Sequence, residues 1–154
     1  MILGAVGDTP YNIFLFLHII LMFAAFAPFF VNRFIEADTR GESARTKLYE
    51  GIAQRSMRIH GGALVLGGFI GFGVAGMSKD ANDNLVYEVK DGWLMAAVVV
   101  WIAMNGVLHA MIVPSERALA AGDDSAMKKL AMGGQLMMGL LLVSLYLMTF
   151  KPGA

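Results

Sequence analysis

The chain has 154 residues, of which 57% are hydrophobic and 16% are charged. A soluble domain is about 25% charged, so this composition excludes an ordinary water-soluble protein and favours the lipid bilayer as the chain's main partner. Basic and acidic residues balance at 12 each, and no net charge draws the chain to nucleic acid. Cysteine is absent, which excludes disulfides, thiolate metal sites and covalent c-type haem attachment.

Four long apolar segments follow one another along the chain. Each has about 20 residues, the length that crosses a hydrocarbon core of roughly 30 Å. They cover about residues 12–32, 59–77, 93–113 and 130–150. We therefore predict an all-α fold, an integral membrane four-helix bundle that forms a single transmembrane domain over residues 1–154. None of the four segments contains a charged residue, which argues against an ion-pumping carboxylate.

The connections between the segments differ in charge. Most basic residues fall in the first and third connections: Arg33, Arg40, Arg45, Lys47, Arg55, Arg58, Arg117, Lys128 and Lys129. The two basic residues of the second connection are balanced by acidic ones, and the C-terminal end holds only Lys151. The positive-inside rule then places the first and third connections in the cytoplasm. We predict an N-out/C-out protein of the bacterial inner membrane.

The first connection is long enough to hold a helix of its own. Leu48, Ile52 and Ser56 recur at every fourth position among good helix formers, so residues 42–58 are predicted to extend the second span into the cytoplasm. The third helix is predicted to end around Pro114, because proline disfavours a continuing helix.

Small and polar residues mark the side of a membrane helix that packs against other helices. On the second span, Gly67, Gly71 and Ala75 form such a stripe, and on the third span Asn105 and His109 lie four residues apart on one face. Stripes on the first and fourth spans are also predicted to face inward: His18, Ala25, Phe29, Asn32 and Gln135, Gly139, Leu142, Tyr146.

Two histidines are predicted to lie at a similar depth. At 1.5 Å per residue, His60 is roughly 3 Å and His109 roughly 7 Å inside the cytoplasmic boundary. Two imidazoles at one level suit bis-histidine ligation of a b-type haem, so we predict both as cofactor and metal ligands. Arg33, Arg55 and Arg58 are placed to pair with the haem propionates.

Other interpretations of these histidines stay open. In the structural one, both imidazoles hydrogen-bond to Asn105, Gln135 or backbone carbonyls and lock the bundle. A metal ion or a proton relay is a further possibility. The 12 methionines are typical of flexible apolar filler, with thioether ligation of a soft metal such as copper as the alternative.

Several short motifs resemble those of a group of small bacterial membrane proteins, the HemJ-type protoporphyrinogen oxidases and the copper-resistance D proteins. They are Leu17-His18-Ile19, Ala27-Pro28-Phe29-Phe30-Val31-Asn32-Arg33, Leu108-His109 and Lys151-Pro152. The resemblance implies His18 as the haem residue and a redox or haem-biosynthesis role. The HemJ type is expected to carry a lysine near the start of its third span, whereas Trp93-Leu94-Met95-Ala96-Ala97 has none.

A different class of function fits the same composition. A small chain without charged residues inside the membrane is also typical of a non-catalytic accessory subunit of a larger respiratory or photosynthetic complex, or of a homo-oligomer. The glycine-rich second span and the methionine-rich fourth span would then be docking faces. Whether the chain is an enzyme stays open at this point.

The charge asymmetry makes the orientation testable. We expect a topology reporter fused after Ala154 to be active only on the outer side of the membrane, because the basic first and third connections hold their ends in the cytoplasm. Alkaline phosphatase and a cytoplasmic fluorescent reporter fused at the same position measure the two sides. Cytoplasmic activity at this position would contradict the N-out/C-out orientation.

Overall fold

The computed structural model describes residues 6–38, 42–80, 82 and 84–153, without the side chains of residues 33, 36–38 and 42. Within this part, four helices are long and apolar enough to cross a membrane, as the sequence predicts. They are Thr9–Asn32, Ser43–Gly76, Gly92–Ala120 and Asp124–Phe150, termed here the first to fourth spans. The fold is all-α, and the predicted membrane class is supported by helix length and composition.

The four spans are built from six α-helices. These are α1 (Thr9–Asp38), α2 (Glu42–Ser56), α3 (Gly62–Gly76), α4 (Gly92–Val107), α5 (Val113–Ala120) and α6 (Met127–Phe150). One π turn, Met57–Gly61, joins α2 to α3, and a second, Leu108–Ile112, joins α4 to α5. The second and third spans are therefore continuous helical rods with a widened turn inside each, a feature that frequently occurs at functional sites.

The third span continues past the point where the sequence predicts its end. Pro114 lies in the first turn of α5, where its missing N–H and fixed φ are tolerated. The π turn directly before it accommodates the proline, and the helix runs on to Ala120. The prediction that Pro114 ends the helix is wrong, and Glu116 consequently lies inside a membrane-length helix.

Helix pairing gives the bundle two ends. α1 packs against α3, α4 against α6, and α2 against α5. At one end the N–H of Val6 donates to the Lys79 carbonyl at 3.0 Å, and Lys151 Nζ donates to the Tyr87 hydroxyl at 2.6 Å. At the other end Arg45 meets Asp124 at 3.4 Å. Both terminal segments thus share an end with the second connection, and the first and third connections share the opposite end.

The glycines of α3 allow neighbouring helices to approach closely on two sides. A Cβ on Gly67 would collide with Met22, and one on Gly71 would lie 3.0 Å from the His18 ring, so this face packs on the first span. A Cβ on Gly68 would collide with the Trp101 indole of the third span. Trp101 is also fixed there, because its Nε1–H donates to the Leu64 carbonyl at 2.9 Å.

Two apolar clusters fill the bundle. The larger one contains Ala25, Phe26, Ala63, Leu64, Met104, Leu108, Ile112, Val113 and Met137, with members from every span. The smaller one, toward the end that holds both termini, contains Ala75, Trp93, Leu94, Ala97 and Leu147. Ala75 therefore faces the third and fourth spans, and only Gly67 and Gly71 of the predicted stripe face the first.

The fourth span is rotated relative to its predicted orientation. Gly139, Leu142 and Tyr146 are exposed, so the prediction that they face inward is wrong, whereas Gln135 is exposed but also lines a cavity of the bundle. The buried positions of α6 are Gly133, Met137 and Leu147. Gly133 decides this orientation, because a Cβ there would lie 3.0 Å from Ile112 and 3.1 Å from Met111, the close approach that a glycine permits.

The glycine contacts generate a stability prediction. We expect Gly68→Ala to destabilise the protein by about 1–3 kcal/mol, because the new methyl group overpacks against a hydrogen-bonded indole. Gly62→Ala is the matched control on the same helix: nothing lies within 4 Å of its Cβ position, so the change is neutral or stabilising by up to about 1 kcal/mol. Unfolding titrations in detergent measure both. Equal effects at the two positions would contradict the packing described for α3.

Candidate functional site

One cavity at the end of the bundle opposite the termini receives residues from all four spans. Its volume is about 230 Å³. The lining residues are Phe29, Asn32, Tyr49, His60, Ile112, Glu116, Leu130, Ala131, Gly134, Gln135 and Met138. We term it the four-span cavity. Its polar lining residues are Asn32, Tyr49, His60, Glu116 and Gln135, and the other lining residues are apolar.

Two ionisable side chains are buried at this cavity. His60 and Glu116 each retain only 4% of their surface exposed. His60 Nδ1 and Glu116 Oε2 are both buried without a hydrogen-bond partner among the described residues. Buried polar atoms are almost always hydrogen-bonded in proteins, so each such atom in a native fold needs an explanation. A ligand or ordered water that completes these bonds is the ordinary one.

Two buried serines add further unpartnered polar atoms to the same region. Ser56 Oγ and Ser115 Oγ are buried and have no hydrogen-bond partner in the described part of the chain. The Ser56 hydroxyl lies near the Glu116 carboxyl group, close enough to stabilise negative charge on it but without good hydrogen-bond geometry. Several polar groups that burial disfavours are therefore gathered at one place.

Aromatic rings form part of the wall beside these groups. The ring centroid of Phe29 lies 4.9 Å from that of His60, with the planes tilted by 51°. Tyr49, from α2, is buried on the adjacent side. No lysine or arginine belongs to the described lining, so Glu116 faces no fixed positive charge there. The site is a small, mostly apolar recess with aromatic side chains and a few polar groups, among them one carboxyl group and one imidazole.

The local fold explains why these side chains point inward. The π turn at Leu108–Ile112 shifts the helix register, so that Ser115 and Glu116 of α5 are buried while Pro114 and Arg117 are exposed. α2 packs along α5 and covers this face with Tyr49 and Ser56. The helical extension thus closes the cavity from the side of the first connection.

The two histidines predicted to share a haem do not share this cavity. His60 lines it, whereas His109 is exposed on the bundle surface and is not part of the lining. The π turn is the physical reason, because His109 lies inside it and is rotated away from the face of Asn105. The structure therefore gives no support to His60 and His109 as a ligand pair.

The predicted hydrogen bonds that would make these histidines structural are also missing among the described residues. His60 Nδ1 has no partner, and the Asn105 side-chain N–H donates to the Trp101 carbonyl at 2.9 Å instead. Asn105 Oδ1 is buried without a partner in the same part of the chain. Among the described residues, His60 Nδ1 therefore makes none of the hydrogen bonds that would lock the bundle.

The arginines predicted to pair with propionates lie outside the cavity lining. Arg55 is exposed and donates to the Gly51 carbonyl of its own helix at 3.1 Å. Arg58 is exposed in the first π turn. The side chain of Arg33 lies outside the described residues.

The described cavity lining supplies one imidazole, that of His60, and no second histidine that would complete bis-histidine ligation of a haem. Within the described ranges, no group of three or more His, Asp or Glu side chains gathers as a metal-ion site.

His18 occupies a different level of the bundle. Its Nδ1–H donates to the Gly67 carbonyl at 2.7 Å across the α1–α3 contact. Nδ1 is the donor because a carbonyl oxygen can only accept, so in the neutral ring the lone pair is on Nε2. This hydrogen bond joins the first and second spans.

Sequence reasoning missed Glu116, Ser115, Ser56 and Tyr49 as site residues. Glu116 follows a proline and lies three residues beyond the apolar run, which makes it resemble a solvated end. One signal was present: Ser56 continues the Leu48–Ile52 stripe that faces the bundle, and a polar residue on such a stripe requires a partner opposite.

Comparison with known proteins adds no family assignment. No protein-family model matches the chain, and neither the curated proteins nor the solved structures contain a match.

Proposed function

We propose that the chain is a multi-pass protein of the bacterial cytoplasmic membrane that binds a small polar molecule in the four-span cavity. The observation that carries this proposal is that a buried carboxyl group and a buried imidazole, those of Glu116 and His60, line one cavity, and that each has a buried atom without a hydrogen-bond partner among the described residues. Ionisable residues inside a membrane bundle are expensive and are functional candidates by default. Binding sites of this kind commonly lie between the helices of bundles.

The orientation belongs to the same proposal. Both terminal segments lie at one end of the bundle with the second connection, and the basic first and third connections lie at the other. The positive-inside rule assigns the basic end to the cytoplasm. The four-span cavity is at that end, so its ligand enters from the cytoplasmic half of the membrane and both termini are outside.

Polar groups kept for binding should cost stability when the site is empty. We therefore expect His60→Leu and Glu116→Met to leave stability unchanged or to raise it by about 1–4 kcal/mol, as replacing unfavourable buried ionisable groups by apolar ones of similar volume often does. Ser115→Ala should follow the same direction, because its hydroxyl is buried without a partner among the described residues.

Ser78 supplies the matched control for that comparison. It is also fully buried, but its hydroxyl donates to the Ala75 carbonyl at 2.6 Å and accepts from the Tyr87 N–H at 2.9 Å. Ser78→Ala should therefore destabilise the protein by about 1–3 kcal/mol. Unfolding titrations of purified protein in detergent measure all variants. If His60→Leu, Glu116→Met and Ser115→Ala lose as much stability as Ser78→Ala, the cavity residues are structural and the proposal fails.

A second candidate function is binding of a b-type haem with a redox or haem-biosynthesis role. His18 favours it, because its Nδ1–H is held by the Gly67 carbonyl while Nε2 keeps a lone pair. Metal-ligating histidines commonly hold their other ring N–H in this way. Haem would supply one-electron chemistry when bound. The residue is also the one that the resemblance to the HemJ type implies.

An absorption spectrum separates this candidate from a colourless accessory subunit. If haem binds through His18, we expect protein purified with haem available to show a Soret band that His18→Ala removes and His109→Ala leaves unchanged, because His109 is exposed. A wild-type protein without the band would exclude haem. A band that survives His18→Ala but vanishes in His60→Ala and His109→Ala would restore the histidine pair. Co-migration of colourless protein with larger partners would favour the accessory role.

A further inference from the structure

We infer that the ligand of the four-span cavity is a small organic cation, an ammonium or amidinium group, that enters in exchange for the proton of Glu116. This inference rests on the proposed function, since it names the class of ligand for that same cavity. Its basis is the chemistry of the wall: one carboxyl group, uncharged hydrogen-bonding groups, two aromatic rings and no basic side chain among the described lining residues.

The charge of the lining selects for a cation. Glu116 is the only carboxyl group in the described lining, and no lysine or arginine there would hold an anion. A carboxylate out of water needs a compensating positive charge or a proton, and the described lining supplies no lysine or arginine. A mobile cation can take the place of that proton.

The remaining wall groups suit an organic ammonium rather than a bare metal ion. Phe29 and Tyr49 present aromatic rings, which attract organic cations through the charge distribution of their faces. The side-chain amides of Asn32 and Gln135 lie on the same wall and offer carbonyl oxygens to N–H donors. The volume of about 230 Å³ leaves room for a small organic cation.

The exchange conserves charge within the cavity. In the exchange that we infer, the cation binds to the form of the cavity in which Glu116 holds a proton. When the cation enters, the Glu116 O–H bond breaks, the proton leaves to bulk water, and the carboxylate forms an ion pair with the ammonium group. One cation enters for each proton released, and no oxidant or reductant takes part.

The titratable side chains of the described lining come from three of the elements around the cavity. Tyr49 comes from α2, His60 from the first π turn and Glu116 from α5, whereas the described lining residues of α1 and α6 are not titratable. Lys128 and Lys129, at the start of α6, are exposed and lie outside the lining. His60 lines the same cavity, and a neutral imidazole adds a hydrogen-bond acceptor to the groups around the ligand.

The test uses the full chain in detergent with ethylammonium as the probe. Ethanol and acetate serve as neutral and anionic molecules of similar size, and potassium chloride holds the ionic strength constant. A ligand that binds only the folded protein raises the unfolding temperature. We expect a rise of several degrees with ethylammonium and none with ethanol, acetate or extra potassium. In the pH range where Glu116 is protonated, the apparent affinity for ethylammonium should rise about tenfold for each unit by which the pH is raised. About one proton should be released for each cation bound.

Two variants decide whether Glu116 is responsible. Glu116→Gln keeps the shape and should abolish the effect of ethylammonium, whereas Glu50→Gln, an exposed position on α2, should keep it. Phe29→Leu should weaken binding at least several-fold by removing an aromatic wall. No effect of ethylammonium on the wild-type protein, an equal effect in Glu116→Gln, or a larger effect of acetate would each overturn the inference.

The outcome also separates this inference from the proposed function. If His60→Leu and Glu116→Met are stabilising but ethylammonium has no effect, the cavity remains the site and only the class of ligand is wrong. If those two changes destabilise the protein as much as Ser78→Ala, the site itself fails.

Discussion

The close approach of neighbouring helices to the glycines of α3 is the constraint on which the rest of the bundle depends. Lipid tails are as apolar as the side chains that face them, so helices in a membrane associate through packing and hydrogen bonds rather than through the hydrophobic effect. Gly67 and Gly71 admit the first span, and Gly68 admits Trp101 of the third. Hydrogen bonds from His18 and Trp101 to carbonyls of α3 fix both contacts.

The cavity follows from the helix geometry on the side of that contact that leads to the first and third connections. Toward the first and third connections, both central rods pass through π turns, and the helices below them pair as α2 against α5. The widened turns break the regular helical register, which turns His60, Ser115 and Glu116 toward the interior. Tight packing near Gly67 and Gly68 and a polar recess a few turns away are thus two parts of one arrangement.

The buried polar groups of this chain differ in whether they have a hydrogen-bond partner. Ser78 and Trp101 are buried or half-buried and hydrogen-bonded, as structural polar residues in folded proteins usually are. Buried atoms without a partner among the described residues belong to Ser56, His60, Trp93, Asn105, Ser115 and Glu116, and the two ionisable ones, His60 and Glu116, line one recess. Natural proteins retain such costs chiefly where function requires them, which is the reason for placing the binding site here.

Much of the fold could be predicted from the sequence, because span length and apolar composition follow directly from bilayer thickness. The glycine face of α3 was also predictable, since small residues mark helix contacts in lipid. The site was not, because helical periodicity assumes 3.6 residues per turn and each π turn changes the phase. That error placed His109 inside, and the helix end predicted at Pro114 placed Glu116 outside. The fourth span was misplaced because Gly133, not Gln135, decides which face packs.

Accessibility of Glu116 is the measurement that tests the central claim most directly. The chain has no cysteine, so single cysteines can be introduced without background reaction. Glu116→Cys and Arg117→Cys are neighbours on α5, one buried and one exposed. In native membranes treated with a membrane-permeant maleimide, we expect Arg117→Cys to react rapidly and Glu116→Cys to react far more slowly. Equal rates at the two positions would show that Glu116 faces solvent and would contradict the buried polar cavity.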